Sequence, residues 1–172
     1  IDEMPFGSTV IHLVPHGRLR LLVMGEAQAD RADPRPTPTE MARMKELLDD
    51  GLRAGAWGMS TGLEYDPGAR ADTAELVELT RVGARRDGVY ASHTRHEGPV
   101  PERMLASYRE AIEIGERAGA RVQISHLKLS GLRVHGMADL VIALIEEARA
   151  RGVRVTADQY PYTAGSTTLA VS

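Results

Sequence analysis

Short apolar, β-branched-rich runs recur five times along the chain, at residues 9–14, 56–59, 88–92, 121–125 and 153–157, and predict buried strands. Between them the apolar positions change to a helical period. Thr37-Pro38-Thr39-Glu40 supplies an N-cap, a proline at the first helical position and a glutamate at the third, with Met41, Met44, Leu47, Leu48 and Leu52 following on one face. That pattern predicts a helix of about four turns ending near Gly55. Asp72-Thr73-Ala74-Glu75 is a second capping signal, with Leu76, Leu79, Val82 and Ala84 behind it. A third helix is expected over 101–118, through Leu105, Tyr108, Ile112 and Gly115, and a fourth over 137–150, through Leu140, Val141, Leu144, Ile145 and Ala148. Gly152 stands just beyond the fourth, where a left-handed residue can close a helix.

The last four strands begin about 32 residues apart, with one helix between each pair, which is the length of a βαβ unit. Successive strands should therefore be parallel, joined by right-handed crossovers. The class is α/β, and periodicity alone leaves a doubly wound sheet and a TIM barrel both open. No glycine-rich phosphate loop follows any strand, so a nucleotide-binding fold loses ground. Residues 25–38 read as a polar, proline-bearing connector.

A chain of 172 residues that is 42% hydrophobic can bury one substantial core. Its net charge of −3 comes from interspersed acids and bases, so nucleic acid and anionic membranes are not expected partners. No apolar run approaches the roughly 20 residues that would span a bilayer, and a soluble, cytoplasmic protein is the default expectation. Cysteine is absent, so any metal held by these residues must be bound by His and carboxylate. The chain opens on Ile rather than Met and closes on Leu169-Ala170-Val171-Ser172, which reads as the interior of something longer.

In parallel α/β folds the functional side chains gather where strands end and loops begin. Two adjacent strands run into histidines there: Tyr90-Ala91-Ser92 into His93, and Gln123-Ile124-Ser125 into His126. Parallel strands lie about 4.8 Å apart, so side chains at matched strand ends can share one metal ion. Either histidine alone could equally be a hydrogen-bonded core residue. Lys128 follows His126 by two and points the same way, while Tyr65, Tyr160, Tyr162 and Ser166 stand on neighbouring strand-end loops. A lysine and several hydroxyls around a metal suit a small-molecule substrate carrying a carboxylate. For any one of them, a solvated loop residue is the simpler account.

Four runs taken together closely resemble the N-acyl-D-amino-acid deacylases, or D-aminoacylases, of the amidohydrolase superfamily. They are Gly55-Ala56-Trp57-Gly58-Met59-Ser60-Thr61-Gly62-Leu63-Glu64-Tyr65-Asp66-Pro67-Gly68, Tyr90-Ala91-Ser92-His93-Thr94-Arg95-His96-Glu97-Gly98, Ile124-Ser125-His126-Leu127-Lys128, and residues 158–167. His16-Gly17-Arg18-Leu19-Arg20 is similar to the family's His-Gly-x-x-Arg stretch, with Pro15 where glycine is more usual. The resemblance implies that residues 1–172 are a central piece of an amidohydrolase domain, about strands 3 to 7 of a partial (β/α)8 barrel. It also implies zinc as cofactor and N-acyl-D-amino acids as substrates. By the same mapping His93 and His126 are metal ligands, and Tyr65, Lys128, Tyr160 and Ser166 contact the substrate. Arg95 and Glu97 are loop supports without an assigned role.

The family's remaining ligands, a His-x-His pair, a cysteine and an aspartate, belong to other strands, so these residues alone should hydrolyse little. The zinc would polarise the acyl carbonyl and activate water, lowering its pKa towards about 7, with the aspartate, expected downstream, as proton carrier. Two alternatives stand beside this one. A hydantoinase- or dihydroorotase-like cyclic amidohydrolase usually carries a metal-bridging lysine on the fourth strand, where this chain has Trp57-Gly58-Met59-Ser60-Thr61. A non-catalytic barrel fragment is the other.

Overall fold

The computed structural model describes residues 7–166; Thr167 of the last motif run and the terminal residues 169–172 lie outside the described residues. Five strands form one parallel sheet in the order in which the sequence lays them down. They are β1 (Val14–Pro15), β2 (Gly58–Gly62), β3 (Val89–His93), β4 (Arg121–Ile124) and β5 (Val155–Ala157). The helices are α1 (His16–Met24), α2 (Pro38–Arg53), α3 (Thr73–Ala84), α4 (Pro101–Ala118) and α5 (Ala138–Ala150), each packed on the next. Sequential parallel strands with a helix in every crossover are the arc of a (β/α)8 barrel rather than a doubly wound sheet, whose strand order reverses.

Local chemistry explains where the helices begin and end. Thr37 Oγ1 accepts from the Glu40 N–H while the Glu40 carboxylate accepts from the Thr37 N–H at 2.8 Å, so the expected capping box is complete. The Asp72 carboxylate caps α3 by accepting from the Glu75 N–H at 2.8 Å. Pro101 opens α4, and Gly119 closes it in the left-handed conformation at φ 72°.

Register divides the strand residues between two faces. Met59, Tyr90, Val122 and Val155 form one row and are buried against the helices, where Met44, Leu48, Leu76, Leu79, Met104, Ile114 and Val141 complete the core. The neighbouring row, Ser60, Ala91, Gln123 and Thr156, faces the other way and is mostly polar, with Thr156 hydrogen-bonded to Gln123. Gly58 lets β2 and β3 approach, because a Cβ there would lie 1.9 Å from the Val89 carbonyl oxygen.

Three expectations shift. The first strand is confined to Val14–Pro15; residues 9–13 lie beside the sheet, tied to it where the His12 carbonyl accepts from the Trp57 N–H at 2.9 Å. The β2 pairing starts and ends later than the apolar run, at Gly58–Gly62, because small residues carry it past the apolar stretch. Helix α1 has no counterpart in the sequence reading. Its buried residues are His16, Leu19, Arg20 and Met24, half of them polar or charged, so a hydrophobic period does not register.

The two polar members of α1 are buried because they meet a partner on α3. Glu75 accepts from Arg20 Nη1 at 2.5 Å and contacts His16 Nε2 at 2.8 Å. Arg20 also donates to Gln28 Oε1 at 2.8 Å and to the Pro34 carbonyl at 2.6 Å, fastening the 25–38 connector to the helical layer. All three members of the triad are at most 3% exposed, and such a buried ionic cluster is tolerable only with its charges matched.

Candidate metal centre

The carboxyl ends of β2, β3, β4 and β5 meet in a cleft of about 400 Å³. His93, the last residue of β3, presents Nδ1 to Nε2 of His126 at 3.0 Å, with ring centroids 4.7 Å apart and nearly perpendicular planes. The route to this meeting differs from the matched strand ends expected. The β3–β4 register pairs Ser92 with Ile124, so His93 is level with Ser125 and His126 lies one residue further on. A continued strand would turn His126 to the opposite face. Instead β4 stops at Ile124, and His126 takes φ 40°, a left-handed conformation uncommon outside glycine, which swings its ring back towards His93.

Asp158, just beyond β5, holds that turn. One carboxylate oxygen accepts from the His126 N–H at 2.6 Å and the other from Gln123 Nε2 at 2.6 Å. Its backbone carbonyl accepts from the Leu127 N–H at 2.7 Å, and its N–H donates to the Ile124 carbonyl at 3.1 Å.

Each imidazole also has a carboxylate at its outer nitrogen. His93 Nε2 is 2.9 Å from Glu64 Oε2, and His126 Nδ1 is 3.1 Å from Glu97 Oε1. Glu97 is buried, and its other oxygen pairs with Lys128 Nζ. Lys128 Nζ in turn lies 2.9 Å from His126 Nδ1 and 5.7 Å from the centre of the Tyr160 ring. The Lys128 carbonyl accepts from the Tyr108 hydroxyl at 2.6 Å; burial pushes that hydroxyl up to about 12, so it remains a donor. Burial likewise holds the His126 imidazole below its ordinary value, against the pull of Glu97, with Lys128 and His93 adding to the depression.

These donors fit a metal ion. Two nitrogens each about 2.0–2.1 Å from a tetrahedral ion would stand about 3.3 Å apart, close to the observed 3.0 Å. A carboxylate on the outer nitrogen of each ring is the pattern that orients metal-bound imidazoles. His93, Glu97 and His126 are grouped so that one ligand atom from each lies within 4.8 Å of the others.

Of the residues singled out in the sequence, Tyr65, His93, His126, Lys128, Tyr160 and Ser166 all border the cleft. Tyr65 tilts against His93 with ring centres 4.8 Å apart. Tyr162 is 73% exposed and stands outside it. Arg95 clamps two loops: it grips Glu110 through Nε and Nη2 and donates to the Ala69 and Ala71 carbonyls. Sequence reasoning missed Glu64 and Asp158 and left Glu97 without a role. The available signal was an acid within four residues of a strand-end histidine or strand end, as in Glu64-Tyr65-Asp66 and His93-Thr94-Arg95-His96-Glu97.

No family model matches the chain. Among curated proteins it is 41% identical over 160 residues to the N-acyl-D-glutamate deacylase of Alcaligenes xylosoxydans xylosoxydans, covering 93% of this chain and 31% of that protein. Among solved structures it superposes on the N-acyl-D-glutamate deacylase of Bordetella bronchiseptica, complexed with zinc and a phosphonate mimic of the tetrahedral intermediate. There the TM-score is 0.80 at 40% identity, over 89% of this chain and 31% of that one. Over nearly its whole length the chain is similar to N-acyl-D-amino-acid deacylases. It spans about a third of the length of the curated relatives it matches. The L-hydantoinase of Arthrobacter aurescens, at TM-score 0.52 and 16% identity over 73% of this chain, shares the fold alone. Among the described residues no helix is long and apolar enough to cross a membrane.

Proposed function

We propose that this chain is the metal-binding and carboxylate-binding arc, the central part of the barrel domain, of a zinc-dependent deacylase that cleaves the amide of N-acyl-D-amino acids. The observation that carries the reading is the 3.0 Å approach of His93 Nδ1 to His126 Nε2 on the floor of a cleft rimmed by Lys128, Tyr65, Tyr160 and Ser166. Zinc, when bound, supplies Lewis acidity to the acyl carbonyl and acidifies water. The chain's own residues do the rest of the work assigned to this arc. His93 and His126, whose Nδ1 and Nε2 face each other, would hold the ion. Lys128 offers an ammonium to the amino acid's carboxylate, and the hydroxyls of Tyr65, Tyr160 and Ser166 complete its hydrogen bonds. Gripping the carboxylate at a fixed place beside the metal is what would make the site sensitive to the configuration of the α-carbon.

The test is made on an intact barrel containing this sequence. His93→Ala and His126→Ala should each strip zinc, whereas Lys128→Ala should keep it and raise KM for N-acetyl-D-methionine. Zinc content unaffected by both histidine substitutions would refute the assignment. Turnover of a hydantoin in preference to N-acetyl-D-methionine would favour a cyclic amidohydrolase. Against that alternative, β2 offers Gly58, Met59, Ser60, Thr61 and Gly62 but no lysine to bridge two metals.

A further inference from the structure

His126 Nδ1 has two claimants. Lys128 Nζ stands 2.9 Å away and can only donate, while Glu97 Oε1 stands 3.1 Å away and can only accept. A neutral imidazole carries one proton, so it can satisfy one of them at a time. With the proton on Nε2, Nδ1 accepts from Lys128, and Nε2–H points at His93; that nitrogen then has no lone pair for a metal. With the proton on Nδ1, Glu97 receives it, Nε2 is free, and Lys128 loses its acceptor on the ring. No proton is gained or lost between the two states; it changes ring nitrogen. Glu97 is 5% exposed and already holds Lys128 through its second oxygen, so one buried carboxylate serves both neighbours.

We propose that Glu97 is a positioning residue that couples metal occupancy to the carboxylate subsite, through its simultaneous contacts with His126 Nδ1 and Lys128 Nζ. A metal on His126 Nε2 fixes the proton on Nδ1, directs it to Glu97 Oε1, and turns Lys128 away from the ring. The ammonium keeps its pairing with Glu97 and gains a free donor towards the cleft, where the substrate's carboxylate is bound. The coupling is reciprocal: an anion that draws Lys128 off the ring also favours the metal-competent tautomer. This inference rests on the zinc reading above but not on the identity of the substrate.

Zinc affinity is measured by competition titration on an intact barrel containing this sequence and on its variants, and the His126 tautomer by long-range 1H–15N NMR on the same protein carrying 15N-labelled histidine. The expected result is Nδ1–H with zinc on Nε2. Glu97→Ala should weaken zinc roughly 10- to 100-fold, as loss of such a partner usually does. Glu97→Gln keeps an accepting oxygen and the volume, and should lose less. Lys128→Met removes the competing donor and should tighten zinc roughly 2- to 10-fold, a gain that a merely structural lysine would not give. Lys128→Met also leaves Glu97 in place, so the proposal does not hang on a variant that fails to fold. Weaker or unchanged zinc in Lys128→Met, or His126 protonated on Nε2 in the zinc-bound protein, would overturn the coupling. Complete loss of zinc in folded Glu97→Gln would make Glu97 a ligand and overturn it as well. Zinc that ignores His93→Ala and His126→Ala sinks the underlying reading and this inference with it. Failure to cleave N-acyl-D-amino acids with these results intact sinks only the proposed chemistry.

Discussion

Replacing Asp158 with alanine tests whether the site depends on the turn at His126. The left-handed backbone at φ 40° costs a non-glycine residue roughly 1–2 kcal/mol. Against it stand two hydrogen bonds to the Asp158 carboxylate, from the His126 N–H and Gln123 Nε2, both at 2.6 Å. Bonds to a charged group contribute about 1.5–3 kcal/mol each, and the exposure of Asp158 puts them at or below the low end of that range. Cost and support are therefore of similar size, and the backbone bonds of residue 158 alone leave the turn near balance. Asp158→Ala should lower zinc affinity about tenfold, which corresponds to about 1.4 kcal/mol, with a comparable or smaller loss of global stability. Asp158→Asn keeps an oxygen for the His126 N–H and should lose on the order of threefold. Competition titration gives the affinity, and urea denaturation of the metal-free variants gives the stability. Zinc affinity unchanged in Asp158→Ala, with the protein folded, would show that the turn holds without the carboxylate and refute the reasoning.

Three further outcomes follow from the packing. Glu75→Gln leaves Arg20 buried without its counter-charge and should cost about 3–5 kcal/mol in urea denaturation; a loss under about 1 kcal/mol would mean that the triad relaxes to water. Gly115→Ala puts a Cβ 2.0 Å from Val122 Cγ2, where α4 closes on β4, and should cost about 1–3 kcal/mol. Val122→Ala in the same protein should recover part of that, so the double variant is more stable than the sum of the singles predicts. The Arg31 guanidinium and the Thr37 N–H hold the Glu40 carboxyl at about 2 against an ordinary 4.5, so the folded state binds this proton less readily than the unfolded chain. The stability that this carboxylate gives the start of α2 is complete above about pH 4.5 and is lost as the pH falls towards 2. Amide protection at the first turn of α2, taken relative to the intrinsic exchange rate at each pH, should fall over that interval and stay flat in Glu40→Gln.

The strand-helix alternation, the parallel class and four of the five helices are legible in the residue pattern alone. Those elements are written in short-range chemistry: the Thr37/Glu40 box, the Asp72 cap, Pro101 and the 3.6-residue spacing of apolar side chains. The pattern also brought His93 and His126 forward as partners, since both stand where strands end. Helix α1 was not legible, because burying His16 and Arg20 is favourable only when Glu75, 55 or more residues away, comes to meet them. The level of the two histidines was not legible either. Register placed them one residue out of step, and their approach depends on where β4 stops, on the sign of one backbone angle and on a carboxylate from beyond β5. Local pattern records what a residue prefers among its neighbours in the chain; these features are set by groups that become neighbours only once the sheet has formed.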